Sequence, residues 1–165
     1  MSVLNVAIAG FGTIGSGVAH VLAQHSEHPD AKIKLAGILE RDTQGQFVRS
    51  WFEKNPELFY ESPEQLLEDP DVDVIVETIG GSGFALELII NALQNGKHVI
   101  TANKDLIAVH GAELMAVAQK NGRHLLFEAA VAGAIPVLRL LKDYLHVQDI
   151  QGIRAILNGT TNYIL

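Results

Sequence analysis

The stretch that most constrains this chain is Gly10-Phe11-Gly12-Thr13-Ile14-Gly15, which follows directly on the run Val3-Leu4-Asn5-Val6-Ala7-Ile8-Ala9. The run is short, rich in β-branched residues and free of charge, the pattern of a parallel strand buried on both faces. Beyond the glycines, Ile14, Val18, Val21 and Leu22 recur at helical spacing, and no proline interrupts them before Pro29. Strand, glycine turn and helix in that order form the fingerprint of a dinucleotide site. Gly10 permits the turn, Gly12 lets the backbone approach a pyrophosphate, and Gly15 lets the helix pack close to the strand. The open N–H groups of the first helical turn then face the phosphate charge.

Three glycines at fixed offsets carry little weight in a chain with 15 of them, so the remainder of the pattern decides. A second strand is predicted over 32–39, and it ends at Glu40-Arg41-Asp42. At that tip an acid holds the 2′-hydroxyl of NAD, whereas an arginine takes the 2′-phosphate of NADP. Both are present, so both cofactors stay open. Residues 43–60 read as an irregular helical segment with Phe47, Val48, Trp51 and Phe52 on one apolar side, stopped by Asn55-Pro56. Ser62-Pro63-Glu64-Gln65 reads as an N-cap, a proline at the first helical position and a capping-box partner, opening a short helix that ends before Asp69-Pro70.

A strand over 72–77 opens into Thr78-Ile79-Gly80-Gly81-Ser82-Gly83, a second glycine-rich loop on the same carboxyl edge as the first. Two similar units follow. Leu86, Ile89, Ile90 and Leu93 build a helix closed by Asn95-Gly96, before a strand over 97–101. Leu114, Val117 and Ala118 build another, closed by Asn121-Gly122, before a strand over 124–127. Strands alternating with helices predict an α/β, Rossmann-like, doubly wound and mostly parallel sheet. Thr101-Ala102-Asn103-Lys104 stands at one strand tip, where Lys104 can hold a cofactor or substrate oxygen or share a proton. Glu128-Ala129-Ala130-Val131-Ala132-Gly133-Ala134-Ile135-Pro136 is a run of small residues whose carbonyls are free to face inward. Pro136 should open a helix carrying Val137, Leu140 and Leu141. A strand over 150–157 and a turn into a helix complete the reading.

Composition narrows the function. An apolar content of 48% and a net charge of −7 over 165 residues suit one globular domain with a full core, and scattered Lys and Arg on an acidic surface exclude nucleic acid as a partner. The aromatic group at 47–52 has no interleaved basic residues and reads as packing. With no cysteine there is no disulfide or thiolate chemistry, and the seven histidines, including the His25 and His28 pair, show no ligand-like clustering. No apolar run reaches the ~18 residues of a membrane span, and no basic leader precedes the first strand, so a cytoplasmic chain is expected.

Five separate stretches together resemble the amino-terminal part of homoserine dehydrogenase: Gly10-Phe11-Gly12-Thr13-Ile14-Gly15, Val76-Glu77-Thr78-Ile79-Gly80-Gly81, Val99-Ile100-Thr101-Ala102-Asn103-Lys104, the run from Glu128 to Pro136, and Asn158-Gly159-Thr160-Thr161-Asn162-Tyr163-Ile164-Leu165. The resemblance implies an oxidoreductase of amino-acid biosynthesis. It would interconvert L-aspartate 4-semialdehyde and L-homoserine with NADP or NAD, on the aspartate route to threonine, methionine and isoleucine. It further implies that Phe11, Gly12, Thr13, Ile14 and Thr78 line the dinucleotide, that Arg41 approaches the adenosine 2′ position, and that Lys104 lies near nicotinamide and substrate. A monovalent cation, sodium or potassium, would sit on backbone oxygens of Glu128, Val131, Gly133 and Ile135, and Gly159 and Thr160 would touch the substrate. Residues 1–150 would be the nucleotide-binding domain and 151–165 the truncated start of a substrate domain, whose acids and proton-carrying lysine lie further on. The full-length form would be a homo-oligomer acting on a small molecule. Another amino-acid or semialdehyde dehydrogenase of the same fold, or a nucleotide-binding module without catalysis, remain the alternatives.

Overall fold

The computed structural model describes residues 2–24, 31–133, 135–145, 151, 152 and 154. The His25 and His28 pair, the boundary at residue 150, and Gly159 and Thr160 lie outside the described residues, and of the strand expected over 150–157 only Gln151, Gly152 and Arg154 are described, none of them in a strand. The first strand, β1 (Ser2–Ala9), feeds the glycine turn and helix α1 (Thr13–Gln24). Strand β2 (Ala31–Leu39), helix α2 (Arg49–Lys54), strand β3 (Phe59–Tyr60) and helix α3 (Pro63–Glu68) follow. Strand β4 (Val74–Glu77), helix α4 (Gly83–Gln94), strand β5 (His98–Thr101), helix α5 (Lys104–Lys120), strand β6 (Leu125–Leu126) and helix α6 (Val137–Leu145) complete the order.

The sheet runs β3-β2-β1-β4-β5-β6 and every pair is parallel, so the fold is the expected Rossmann-like doubly wound one. Chain order reverses between β1 and β4, which opens a crevice above their carboxyl ends. Alternating side chains supply two cores, one on each face. Ala7, Ala9, Ile75 and Val99 pack with Leu66, Leu88, Leu93, Leu106 and Leu114 on one face. Val6, Ile8, Ile38, Val74 and Val76 pack with Phe11, Ala19 and Val48 on the other.

Several local readings change. Strand β3 was not anticipated; its two residues pair with Ile38 and Leu39 after a 3-10 turn at Pro56–Leu58, and the helical segment shrinks to Arg49–Lys54. A pairing of two residues leaves no alternation to detect. Ser62 caps α3 by accepting from the Gln65 N–H (3.4 Å), but the Gln65 side chain accepts from Glu61 rather than from Ser62, so the box is not reciprocal. Along α1 the packing face follows the apolar periodicity only in part, since Val18 and Leu22 pack against the core. Gly15 and Ala19 are the buried residues, while Ile14 and Val21 stand more than half exposed. Asn95-Gly96 and Asn121-Gly122 do close α4 and α5, with both glycines left-handed (φ 78° and 62°).

Candidate functional site

The glycine turn is shaped by backbone contacts that leave no room for side chains at two of its three positions. Gly10 has φ 91°, and a Cβ there would lie 2.8 Å from the Ile79 nitrogen. At Gly15 a Cβ would collide with the Gly10 carbonyl oxygen and stand 2.9 Å from the Thr78 hydroxyl. At Gly12 it would meet nothing within 4 Å. Gly10 and Gly15 therefore serve the packing of β1, α1 and the 78–83 loop, whereas Gly12 faces open space. Thr78 clamps the turn, donating its N–H to Ala9 (2.8 Å) and its hydroxyl to the Gly10 carbonyl (2.7 Å).

Three N–H groups at the start of α1, those of Gly12, Thr13 and Ile14, have no hydrogen-bond partner among the described residues. They sit at the positive end of a 12-residue helix directly beside the β1/β4 crevice, a geometry built for an anion. Phe11 contributes differently. Its ring is fully buried, edge-on to Trp51 (5.5 Å) and Phe59 (6.2 Å), so the side chain anchors the turn from below. Its N–H is taken by the Glu40 carboxylate at 2.7 Å, and the other Glu40 oxygen accepts from the Asp42 N–H at 3.0 Å.

Glu40 thus braces the tip of β2 against the glycine turn. Arg41, next to it, is exposed, and its guanidinium has no ion-pair partner among the described residues. Lys104 lies at the tip of β5 as the first residue of α5; its side chain is 68% exposed and 4.0 Å from Asp105. The 128–135 loop follows β6 on the same edge. Glu128–Ala130 form a 3-10 turn, Ala132 and Gly133 are both left-handed (φ 58° and 61°), and the main-chain oxygens of Glu128 and Ile135 each accept one N–H, from Val131 and Val137. The Glu128 carboxylate accepts from Leu138 (2.9 Å) and Arg139 (3.1 Å), which caps α6 and pins the loop ends together. The fold therefore brings Gly10 to Gly15, Arg41, Thr78, Lys104 and the 128–135 loop to one edge.

Sequence reasoning passed over two polar groups on that edge, the buried Glu77 and the helix cap Asn103, and read Glu40 as an acid for a ribose hydroxyl without its brace to the Phe11 N–H. A signal existed for Glu77. It closes the run Val74-Ile75-Val76, where a solvent-facing acid would be out of place.

At the opposite, amino-terminal edge a cleft of about 460 Å³ is lined by Asp69, Asp73, Lys97, His98 and Arg123. Its charged groups are largely spent on the fold. Lys97 Nζ donates to the main-chain oxygens of Asp69 (2.5 Å) and Val72 (3.1 Å), and burial lowers its pKa despite Asp69 and Asp73 nearby. Burial and the stacked His124 likewise lower that of His98.

Comparison with known proteins agrees with this geometry. The family model described as homoserine dehydrogenase, NAD binding domain, matches residues 10–128, and one described as homoserine dehydrogenase matches 136–165. The chain is 38% identical over 169 residues to homoserine dehydrogenase of Bacillus subtilis, with 100% of the chain and 38% of the relative covered. It superposes on a homoserine dehydrogenase from Thiobacillus denitrificans with a TM-score of 0.82 at 36% identity, over 99% of this chain and 38% of that one. A hyperthermophilic archaeal homoserine dehydrogenase in complex with NADPH is similar over 84% of this chain and 48% of its own, with a TM-score of 0.69 and 26% identity. The chain spans 38% of the length of the Bacillus relative. No helix among the described residues is long and apolar enough to cross a membrane. A glycine turn open at Gly12, a switch point between β1 and β4, and a nucleotide-domain match over 10–128 lead to one conclusion: this chain belongs to the homoserine dehydrogenase family.

Proposed function

We propose that this chain is the cofactor-binding part of a cytoplasmic, homo-oligomeric homoserine dehydrogenase that interconverts L-homoserine and L-aspartate 4-semialdehyde with NADP or NAD. The observation that carries the reading is the open Gly12 position beside three N–H groups at the start of α1 that have no partner among the described residues. The pyrophosphate lies there, against Gly12, Thr13 and Ile14, while Gly10 and Gly15 keep the turn tight and the Phe11 ring anchors it. Thr78 lines the same crevice. Arg41 reaches the adenosine 2′ position, and with Glu40 already holding two N–H groups, the exposed guanidinium is the group left to meet a 2′-phosphate.

When bound, the nicotinamide gives a hydride to the aldehyde carbon or takes one from the alcohol carbon, with a proton moving to or from the substrate oxygen. Lys104 stands near that oxygen and stabilises its negative charge. Gly159 and Thr160, in the segment that begins the substrate domain at 151, contact the substrate. The principal acids and the proton-transferring lysine belong to further chain, so the 165 residues alone bind cofactor with negligible turnover. Main-chain oxygens of Glu128, Val131, Gly133 and Ile135 would hold a sodium or potassium ion, a hard-oxygen set that suits such ions, and the ion would steady the loop that leads into the substrate region.

The test is steady-state oxidation of L-homoserine by the complete polypeptide that carries these residues, with NADP and NAD, in wild type and Arg41→Ala. Turnover is expected, and loss of one charge-assisted contact, worth about 1.5–3 kcal/mol, should move the NADP-to-NAD preference at least about tenfold toward NAD. No turnover of homoserine would overturn the activity. An unchanged cofactor ratio would remove Arg41 from the 2′ position.

A further inference from the structure

Strand β4 ends on an acid that is completely shielded from water. Glu77 has no exposed surface, and three donors, two from the loop that follows it and one from the end of β5, converge on its carboxyl group. One oxygen accepts the N–H groups of Ile79 (2.8 Å) and Gly80 (3.2 Å); the other accepts the Thr101 hydroxyl (2.5 Å). The Thr101 oxygen accepts in turn from the Asn103 N–H (3.0 Å), and the Asn103 side-chain amide donates to the Gly81 carbonyl (2.6 Å). That last bond closes a ring back onto the first loop. Asn103 also caps α5 by accepting from the Leu106 N–H (3.1 Å), which fixes the helix that begins at Lys104.

Burying a carboxyl group is costly even when its oxygens are satisfied, and an apolar residue filling the same space is often as good for stability. The arrangement does something an apolar residue could not. It holds Gly80 and Gly81 in successive left-handed conformations (φ 80° and 69°) and ties them to the segment preceding Lys104. With the adenosine side of the crevice marked by the β2 tip, the other half of a dinucleotide crossing the β1/β4 switch lies over β4 and β5, where this ring sits.

We propose that Glu77 is a positioning residue that acts through Thr101 and Asn103, locking the 78–83 loop and the start of α5 into one edge that receives the nicotinamide half of the cofactor. This rests on the cofactor reading above. The test compares NADPH with 2′-phospho-ADP-ribose, which lacks the nicotinamide, by calorimetric titration of the complete polypeptide in wild type, Thr101→Val, Thr101→Ser and Glu77→Gln. Removing the hydroxyl should raise the NADPH Kd about fivefold or more while the fragment's Kd stays within about twofold, the scale of one lost hydrogen bond. Thr101→Ser, which restores the hydroxyl, should return NADPH binding to the wild-type value. Should Thr101→Val fail to fold, Glu77→Gln carries the test: it keeps one oxygen for the loop N–H groups, loses an acceptor toward Thr101, and should show the same one-sided loss. Equal weakening of both ligands, or of neither, would overturn the proposal by reducing Glu77 to a structural role. Failure of wild type to bind either ligand would instead overturn the cofactor reading and this proposal with it.

Discussion

A single imidazole illustrates how residue chemistry here is divided between the two edges of the sheet. His98, at the edge away from the glycine turn, accepts the His124 N–H on its Nδ1 (3.0 Å) and stacks on the His124 ring at 5.1 Å. Burial first, then the neighbouring His124 and Arg123, push its pKa below the ordinary 6.5, with Asp73 opposing them. The folded state therefore binds fewer protons than the unfolded chain as pH falls below about 6.5, so this group's contribution is intact above that value and is lost through the lowered folded pKa. Urea midpoints measured between pH 7.5 and 5 should fall for wild type and flatten for His98→Asn, whose Oδ1 can replace Nδ1 as the acceptor. An equal fall in both would assign the acid sensitivity to other groups. The carboxyl edge works by different means. There Glu40 and Glu77 spend their oxygens on backbone N–H groups and a hydroxyl, and open positions such as Gly12 remain for a ligand.

At the scale of elements, α1 explains both what was legible in the sequence and what was not. Its existence and its place after β1 follow from the glycines and the apolar spacing. Its packing face follows only in part: Val18 and Leu22 pack on the core, but the close approach of Gly15 to the Gly10 carbonyl turns Ala19 inward and leaves Ile14 and Val21 outward. Hydrophobic periodicity ranks residues by side chain and so misses a helix that docks through the absence of one. Gly15→Ala should force the helix start away from β1 and Thr78, an overpacking cost of about 1–3 kcal/mol, lowering Tm by about 2–4 °C per kcal/mol. A thermal melt with an unchanged midpoint would show that the contact is slack. Strand β3 escaped for a different reason, since two residues carry no period. Strands β4 and β5 start later than the apolar pattern predicts because Val72, Asp73 and Lys97 belong to the turn chemistry of the amino-terminal edge: Asp73 accepts from the Asn5 N–H (2.8 Å) and Lys97 binds two carbonyls. The polar ring of Glu77, Thr101 and Asn103 is beyond local patterning, for it joins strand ends 24 residues apart that only the β4/β5 pairing brings together.

For the whole molecule, the parallel order β3-β2-β1-β4-β5-β6 gathers the ends of all six strands at one edge, and it is this edge that carries every described residue in the cofactor reading. The chain spans 38% of the length of its Bacillus relative, and the part of the proposed function that rests on its described residues is cofactor binding. The central claim is therefore the placement of a nicotinamide dinucleotide on the Gly10 to Gly15 turn, and titration of NADPH into the 165-residue chain, followed by nicotinamide fluorescence, tests it most directly. Wild type should bind saturably, and Gly12→Val should abolish binding by filling the open space at that position while leaving the urea midpoint close to wild type, because a Cβ there meets no protein atom within 4 Å. Saturable binding of equal affinity by Gly12→Val, or none by a folded wild-type chain, would contradict the account.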